Sequence, residues 1–181
     1  MVTSYPARQR TGSRNKDAVN PVFLEAEAKV LEWLVAEGHD VQDARPQRTY
    51  YDFALGNLWT VDVKCDQWMQ TTGRVAWELY LETRGVLRES WGMDARLDYV
   101  AFVAPHIWKL VLVDTEAVRD LIAKQEKGFN LPKSGELVAF SKEGNDQRTG
   151  KGVALSIEYL RRHGCIKKEA QLGTEPEEGP E

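Results

Sequence analysis

Two cysteines, Cys65 and Cys165, are too few to staple a chain of 181 residues, and that scarcity reads as a reducing compartment in which both are plain thiols. Three histidines, His39, His106 and His163, lie far apart, and no Cys or His stands at zinc-ligand spacing. No apolar run approaches the ~18 residues that a membrane span needs. The opening MVTSYPARQR lacks the apolar core of a signal peptide, so a cytosolic protein with no membrane association is expected. There is no internal repeat, which sets solenoids aside, and no Gly-rich loop of nucleotide-binding spacing.

What is present suffices for one globular domain: 42% hydrophobic and 29% charged residues, enough to bury a single core. A net charge of −4 argues against holding nucleic acid by bulk electrostatics. Its distribution is uneven. Residues 1–19 carry Arg8, Arg10, Arg14 and Lys16 against Asp17, and read as a flexible basic arm. That arm could follow a phosphate backbone or merely keep the chain soluble. Residues 167–181 are net acidic and read as a disordered tail, which leaves 20–166 as the domain.

Asn20-Pro21 marks a helix start, and Gly38 marks its end in a left-handed conformation. Phe23, Val30, Leu31 and Leu34 form the inward stripe, with Glu27 inside it and Glu25 and Glu32 on the outer face. Glu27 is either a carboxylate aimed inward or one at the edge whose stem packs and whose head reaches water.

The centre of the chain is Tyr51 to Glu82. Val41–Gln47 reads as a first strand; Tyr50–Leu55 and Leu58–Lys64 then read as a hairpin around Gly56-Asn57. Tyr51, Phe53 and Leu55 on one arm and Trp59, Val61 and Val63 on the other must meet one core. Paired residues must therefore have numbers of even sum, such as 53 with 61. A two-residue loop would pair 55 with 58 and is excluded in favour of a three- or five-residue loop or a bulge. The same parity puts Asp52 beside Asp62 and Lys64 on the face away from the apolar set. Two neighbouring carboxylates repel unless a cation sits between them. Mg²⁺ is the expected occupant, with Mn²⁺ able to substitute, held by the carboxylates, a backbone carbonyl (Val63) and water. With Lys64 beside it, this is a set of groups for phosphodiester hydrolysis. The bland alternative is a surface ion pair.

Glu27 on a first helix, Asp52 on a strand and Asp62-Val63-Lys64 on the next resemble the PD-(D/E)XK nuclease superfamily. Glu27, Val30, Leu34 and Gly38 stand at the offsets of its Holliday-junction-resolvase-like members. DQWMQTTGRVAWELYLETRG is similar to a segment of phage-type members, in which a Thr-Gly pair (Thr72, Gly73) precedes a strand with a glutamate (Glu78). The resemblance covers roughly residues 20–122, and Tyr51 departs from it by standing where the family has proline. It implies Asp52 and Asp62 as metal ligands, Lys64 as the catalytic lysine and Glu27 as an additional acid. It also implies a restriction-endonuclease-like fold and a role in DNA recombination, in the host cytoplasm if the protein is phage-encoded.

Downstream, Val75–Glu82 alternates as a strand, and Glu78 is either a further metal ligand or a solvated side chain. Trp68 and Met69 are expected under a loop. Gly85–Asp94 reads as a loop or short helix in which Ser90, Trp91 and Arg84 or Arg88 could face a substrate. Asp98–Ala104 and Trp108–Val113 read as a hairpin of central strands, followed by a helix from Asp114-Thr115 to about Lys124. A strand at Leu137–Phe140, a charged loop over 141–151 and a helix from Ser156 to His163 complete the pattern. Lys142, Arg148 and Lys151, with Arg161 and Arg162, are candidates for phosphate contact. The expectation is an α/β domain with a mixed sheet of about five strands flanked by helices on both sides. Its activity would be that of a Mg²⁺-dependent endonuclease on branched DNA, working as a homodimer. A restriction-type nuclease, an exonuclease, or a non-catalytic nucleic-acid-binding protein on the same fold are the alternatives.

Overall fold

A computed structural model describes residues 21–47, 50–56, 58–83, 86–126, 137–141 and 148–173, with the backbone alone at 82–83, 87, 125–126, 137–141 and 148–151. The elements run α1 (Pro21–Ala36), β1 (Val41–Asp43), β2 (Phe53–Leu55), β3 (Trp59–Cys65), α2 (Met69–Thr72), β4 (Arg74–Thr83) and β5 (Val86–Glu89). They continue β6 (Tyr99–Ala104), β7 (Lys109–Asp114), α3 (Thr115–Glu126), β8 (Leu137–Ser141), β9 (Arg148–Ser156), α4 (Ile157–Arg162) and β10 (Ile166–Gln171). Single helical turns stand at Arg45–Gln47 and Trp91–Met93.

The strands make two sheets, one in the order β1-β2-β3-β6-β7-β10 and one in the order β5-β4-β9-β8. In the first, only β3 and β6 pair in parallel, Asp62 opposite Val100 and Lys64 opposite Phe102. A parallel pair needs a long crossover. Here the crossover carries α2, β4, β5 and the Trp91–Met93 turn, and so lays the second sheet against the first. β6 and β7 are apolar at nearly every position because both of their faces are covered. Ala101, Val103, Leu110 and Leu112 share a core with Ala26, Val30 and Leu34 of α1 and with Phe53, Leu55, Val61 and Val63. Val100, Phe102, Val111 and Val113 share another with Val75, Trp77 and Leu79 of β4, Val153 and Leu155 of β9, Val118 and Ile122 of α3, and Leu160 of α4.

The mixed α/β class is thus as expected, but the sheet is larger, and helices alone do not flank it. One face is covered by α1, while the other lies against the second sheet together with α3 and α4. The loop expected over Gly85–Asp94 contains β5, and the charged loop expected to run to Lys151 gives way to β9 at Arg148. The acidic tail expected from Lys167 instead contributes β10, an edge strand on β7, followed by a buried Leu172. Its Lys-Lys-Glu run hides the strand period while keeping an edge charged. In α1, Gly38 has φ +85° and ends the helix as its position implies. Ala26 rather than Phe23 joins Val30 and Leu34 inside, Phe23 being 39% exposed. The Asn20 cap lies outside the described residues. Among the described residues no helix is long and apolar enough to cross a membrane.

Candidate active site

The site begins with the register of the hairpin. Phe53 faces Val61 and Leu55 faces Trp59, so pairs sum to even numbers and residues 56–58 connect the strands, with Gly56 at φ +56°. Asp52 stands one residue before β2. Its N–H donates to the Val61 carbonyl (2.9 Å), and its carboxylate oxygen Oδ2 accepts the Val63 N–H (2.8 Å). The side chain thus takes a hydrogen bond that a backbone carbonyl would otherwise receive, and is fixed against β3 at the residue between Asp62 and Lys64.

Asp62 and Lys64 alternate with Val61 and Val63, so they leave the α1 core to those valines and turn to the face that carries Val100 and Phe102. That face is the space between the sheets, not open water. Asp62 is 0% exposed, and Asp52 is also buried. A carboxylate so placed needs a partner, because desolvating an isolated ion costs several kcal/mol. Lys64 supplies it: its ammonium is ion-paired with Asp62 Oδ2 and lies 5.2 Å from the centroid of the Trp91 ring, with 17% of the lysine side chain exposed.

Glu78 lies in β4, where strict alternation would put it on the face opposite Trp77 and Leu79. All three are buried. A register shift between Glu78 and Tyr80 breaks the alternation, and the Ser90 hydroxyl donates to the Glu78 carboxylate. The solvated reading of Glu78 is therefore wrong.

Glu27 belongs to a neighbouring group. Its carboxylate is 3.3 Å from the Arg45 guanidinium, which also grips Asp43 and lies 5.1 Å from the Phe53 ring. The hydrogen bonds from Arg45 hold the Asp43 carboxyl below the usual range against the opposing effect of burial, and Asp43 raises Arg45 in turn. Glu25 and Glu32 are exposed, as the helical period implies. The two groups meet through the backbone, where the Ala44 N–H donates to the Asp52 carbonyl (2.9 Å). Among the described residues, no three His, Cys, Asp or Glu side chains gather as a metal-holding group. A hard cation beside Lys64 would have oxygens of Asp52 and Asp62 and the Val63 carbonyl as its protein donors, with water completing its shell.

Arg8, Arg10, Arg14, Lys16, Arg84 and Lys142 lie outside the described residues, and of Arg148 and Lys151 only the backbone in β9 is described. Arg161 is held by Glu169 and Arg162 by Glu158. Thr72 and Gly73 shape the backbone locally. Gly73, at φ +62°, ends α2, and the Thr72 hydroxyl donates to the Trp68 carbonyl. Met69 is buried as expected, but Trp68 is 72% exposed. The sequence missed Arg45 as the partner of Glu27, because 18 residues and a strand separate them. It named Trp91 without placing it near Lys64; the signal would have been an aromatic in the crossover between the paired strands. Compared with known proteins, the chain matches no family model, no curated protein and no solved structure.

Proposed function

We propose that this protein is a divalent-metal-dependent nuclease with a restriction-endonuclease-like arrangement of α1, β1–β3 and β6, acting on DNA. The observation that carries the reading is the acid–Val–lysine segment of β3, its acid buried and its lysine partly so, with a second carboxylate, Asp52, anchored to its middle residue. A domain that needed only stability would gain as much from apolar side chains there, since a buried ion pair is often no better than a hydrophobic replacement.

Asp52, Asp62 and the Val63 carbonyl would hold Mg²⁺ or Mn²⁺, which when bound supplies positive charge to activate water and to stabilise the leaving oxygen. The Val63 N–H fixes the orientation of Asp52. Lys64 changes partner: with its charge no longer needed by Asp62, the ammonium is available to a phosphoryl oxygen on which negative charge builds. Partial burial strengthens that interaction relative to water. In-line displacement by water then needs no covalent enzyme intermediate. Branched DNA and a homodimer complete the proposal, because two symmetric cuts require two such sites.

The test is cleavage of linear, single-stranded, flapped and four-way DNA in Mg²⁺ and Mn²⁺. Wild type should cut at least one of them, and Lys64→Ala should lose about 10²–10³-fold, the usual cost of removing one charge-stabilising donor. Asp62→Asn should lose both cutting and the thermal shift given by metal. Wild-type protein that cuts none of these DNAs in either metal would refute the reading, and binding without cutting would favour a non-catalytic nucleic-acid-binding protein.

A further inference from the structure

We propose that Trp91 is a positioning residue for Lys64, its indole face holding the ammonium in place when the lysine leaves Asp62. The kinetic part of this inference rests on the nuclease reading; the structural part does not. The Trp91 ring centroid lies 5.2 Å from Lys64 Nζ, within the range at which the face of an indole attracts a cation.

The indole is itself held from several directions. Trp77 packs edge-on against it at 5.1 Å and Phe102 at 6.2 Å, ring centroid to centroid. The turn that carries it is fastened to β4 on both sides. Before Trp91, the Ser90 N–H donates to the Leu79 carbonyl (2.8 Å), and the Ser90 hydroxyl donates to the buried Glu78 carboxylate. After it, the Gly92 carbonyl accepts the Trp77 indole N–H at 3.1 Å. A Cβ added to Gly92 would fall 2.3 Å from the Glu78 carbonyl oxygen, so only glycine lets the turn lie this close. Glu78 therefore acts on the site through Ser90 and Trp91. A lysine with its long flexible stem, released from Asp62, would otherwise sample many directions; above a fixed ring it keeps one.

The test compares Trp91→Phe, Trp91→Leu and Phe102→Leu in the full chain. By NMR, the ε-methylene protons of Lys64, assigned by their loss in Lys64→Arg, should lie upfield from the ring current. They should return toward the position of an ordinary lysine in Trp91→Leu, and remain shifted in Trp91→Phe and Phe102→Leu. In DNA cleavage, Trp91→Leu should lower kcat about tenfold with KM unchanged, the scale of a desolvated cation–π contact. Trp91→Phe should keep most of kcat, and Phe102→Leu, which alters the strand neighbour of Lys64 and loosens the same ring cluster but leaves the indole in place, should keep it too. Unmoved ε-methylene protons in Trp91→Leu, or an equal kcat loss in Phe102→Leu, overturns the inference. If wild type cuts no DNA yet the ε-methylene shift disappears in Trp91→Leu, the nuclease reading fails and the contact stands.

Discussion

The Asp62–Lys64 pair lends itself to a double-mutant cycle whose size follows from burial. In Lys64→Met the Asp62 carboxylate keeps its 1% side-chain exposure and loses its ammonium partner. Breaking a buried pair from one side costs about 3–5 kcal/mol. For a chain of this length each kcal/mol moves Tm by about 2–4 °C, so a fall of about 6–20 °C is expected in EDTA. Asp62→Asn should cost less, because the Lys64 side chain, 17% exposed, has a path by which its charge can reach water. Asp62→Asn with Lys64→Met removes both charges of the pair and should be more stable than the sum of the singles by about 2 kcal/mol or more. Metal adds a second dimension. Divalent cation at about ten times its Kd would return about 1.4 kcal/mol to Lys64→Met, and nothing to either variant carrying Asp62→Asn. Urea unfolding and thermal melts with and without millimolar Mg²⁺ read all of these. Single costs under about 1 kcal/mol that add without coupling would show that the pair is a solvated one, and the argument from burial would fall.

Three further outcomes follow from particular contacts. Gly92→Ala places a Cβ 2.3 Å from the Glu78 carbonyl oxygen and 2.5 Å from the Trp77 indole nitrogen, so a loss of about 1–3 kcal/mol is expected in urea unfolding; an unchanged midpoint would contradict the tight packing of that turn. Burial pushes the Cys65 thiol up to about 11, so its alkylation rate should rise with pH toward a midpoint there in the folded protein, and near the ordinary value of about 8.5 in urea; equal folded and unfolded rates at about pH 8 would refute the desolvation. Hydrogen bonds from Arg161 and then Lys109 outweigh burial and hold the Glu169 carboxyl below its usual range. The stability it adds is therefore present above the unfolded carboxylate value and lost as pH falls through the folded one. Glu169→Gln should lower Tm at about pH 7 and converge with wild type in acid; a Tm difference that persists in acid would show that the effect is not ionic.

The hairpin was legible because two apolar sets on short arms must reach one core, and parity then leaves a single class of register for Phe53 and Val61. Asp52, Asp62 and Lys64 followed from that parity alone. The environment they turn toward did not follow, since alternation says which face a side chain takes but not what covers the face. Three strands were lost: Val86–Glu89 and Ile166–Gln171 are edges that carry charges where a buried strand would carry valines, and Arg148–Ser156, an inner strand of the second sheet, opens on a charged, glycine-containing run. The burial of Glu78 was hidden for another reason, because a bulge one residue long resets alternation and leaves no trace in composition. Glu27 was placed inward by helical period, but the period could not name Arg45.

The route of the chain has a bearing on how the molecule comes together. Asp62 and Lys64 arise on a hairpin that can close from neighbouring residues, whereas the wall above them hangs on β4, which is zipped along its length to β9, far later in the chain. Contacts separated so widely form slowly, because a large loop must first be closed. An emerging polypeptide therefore makes its charged pair early and roofs it late, and through that interval the carboxylate and the ammonium remain hydrated.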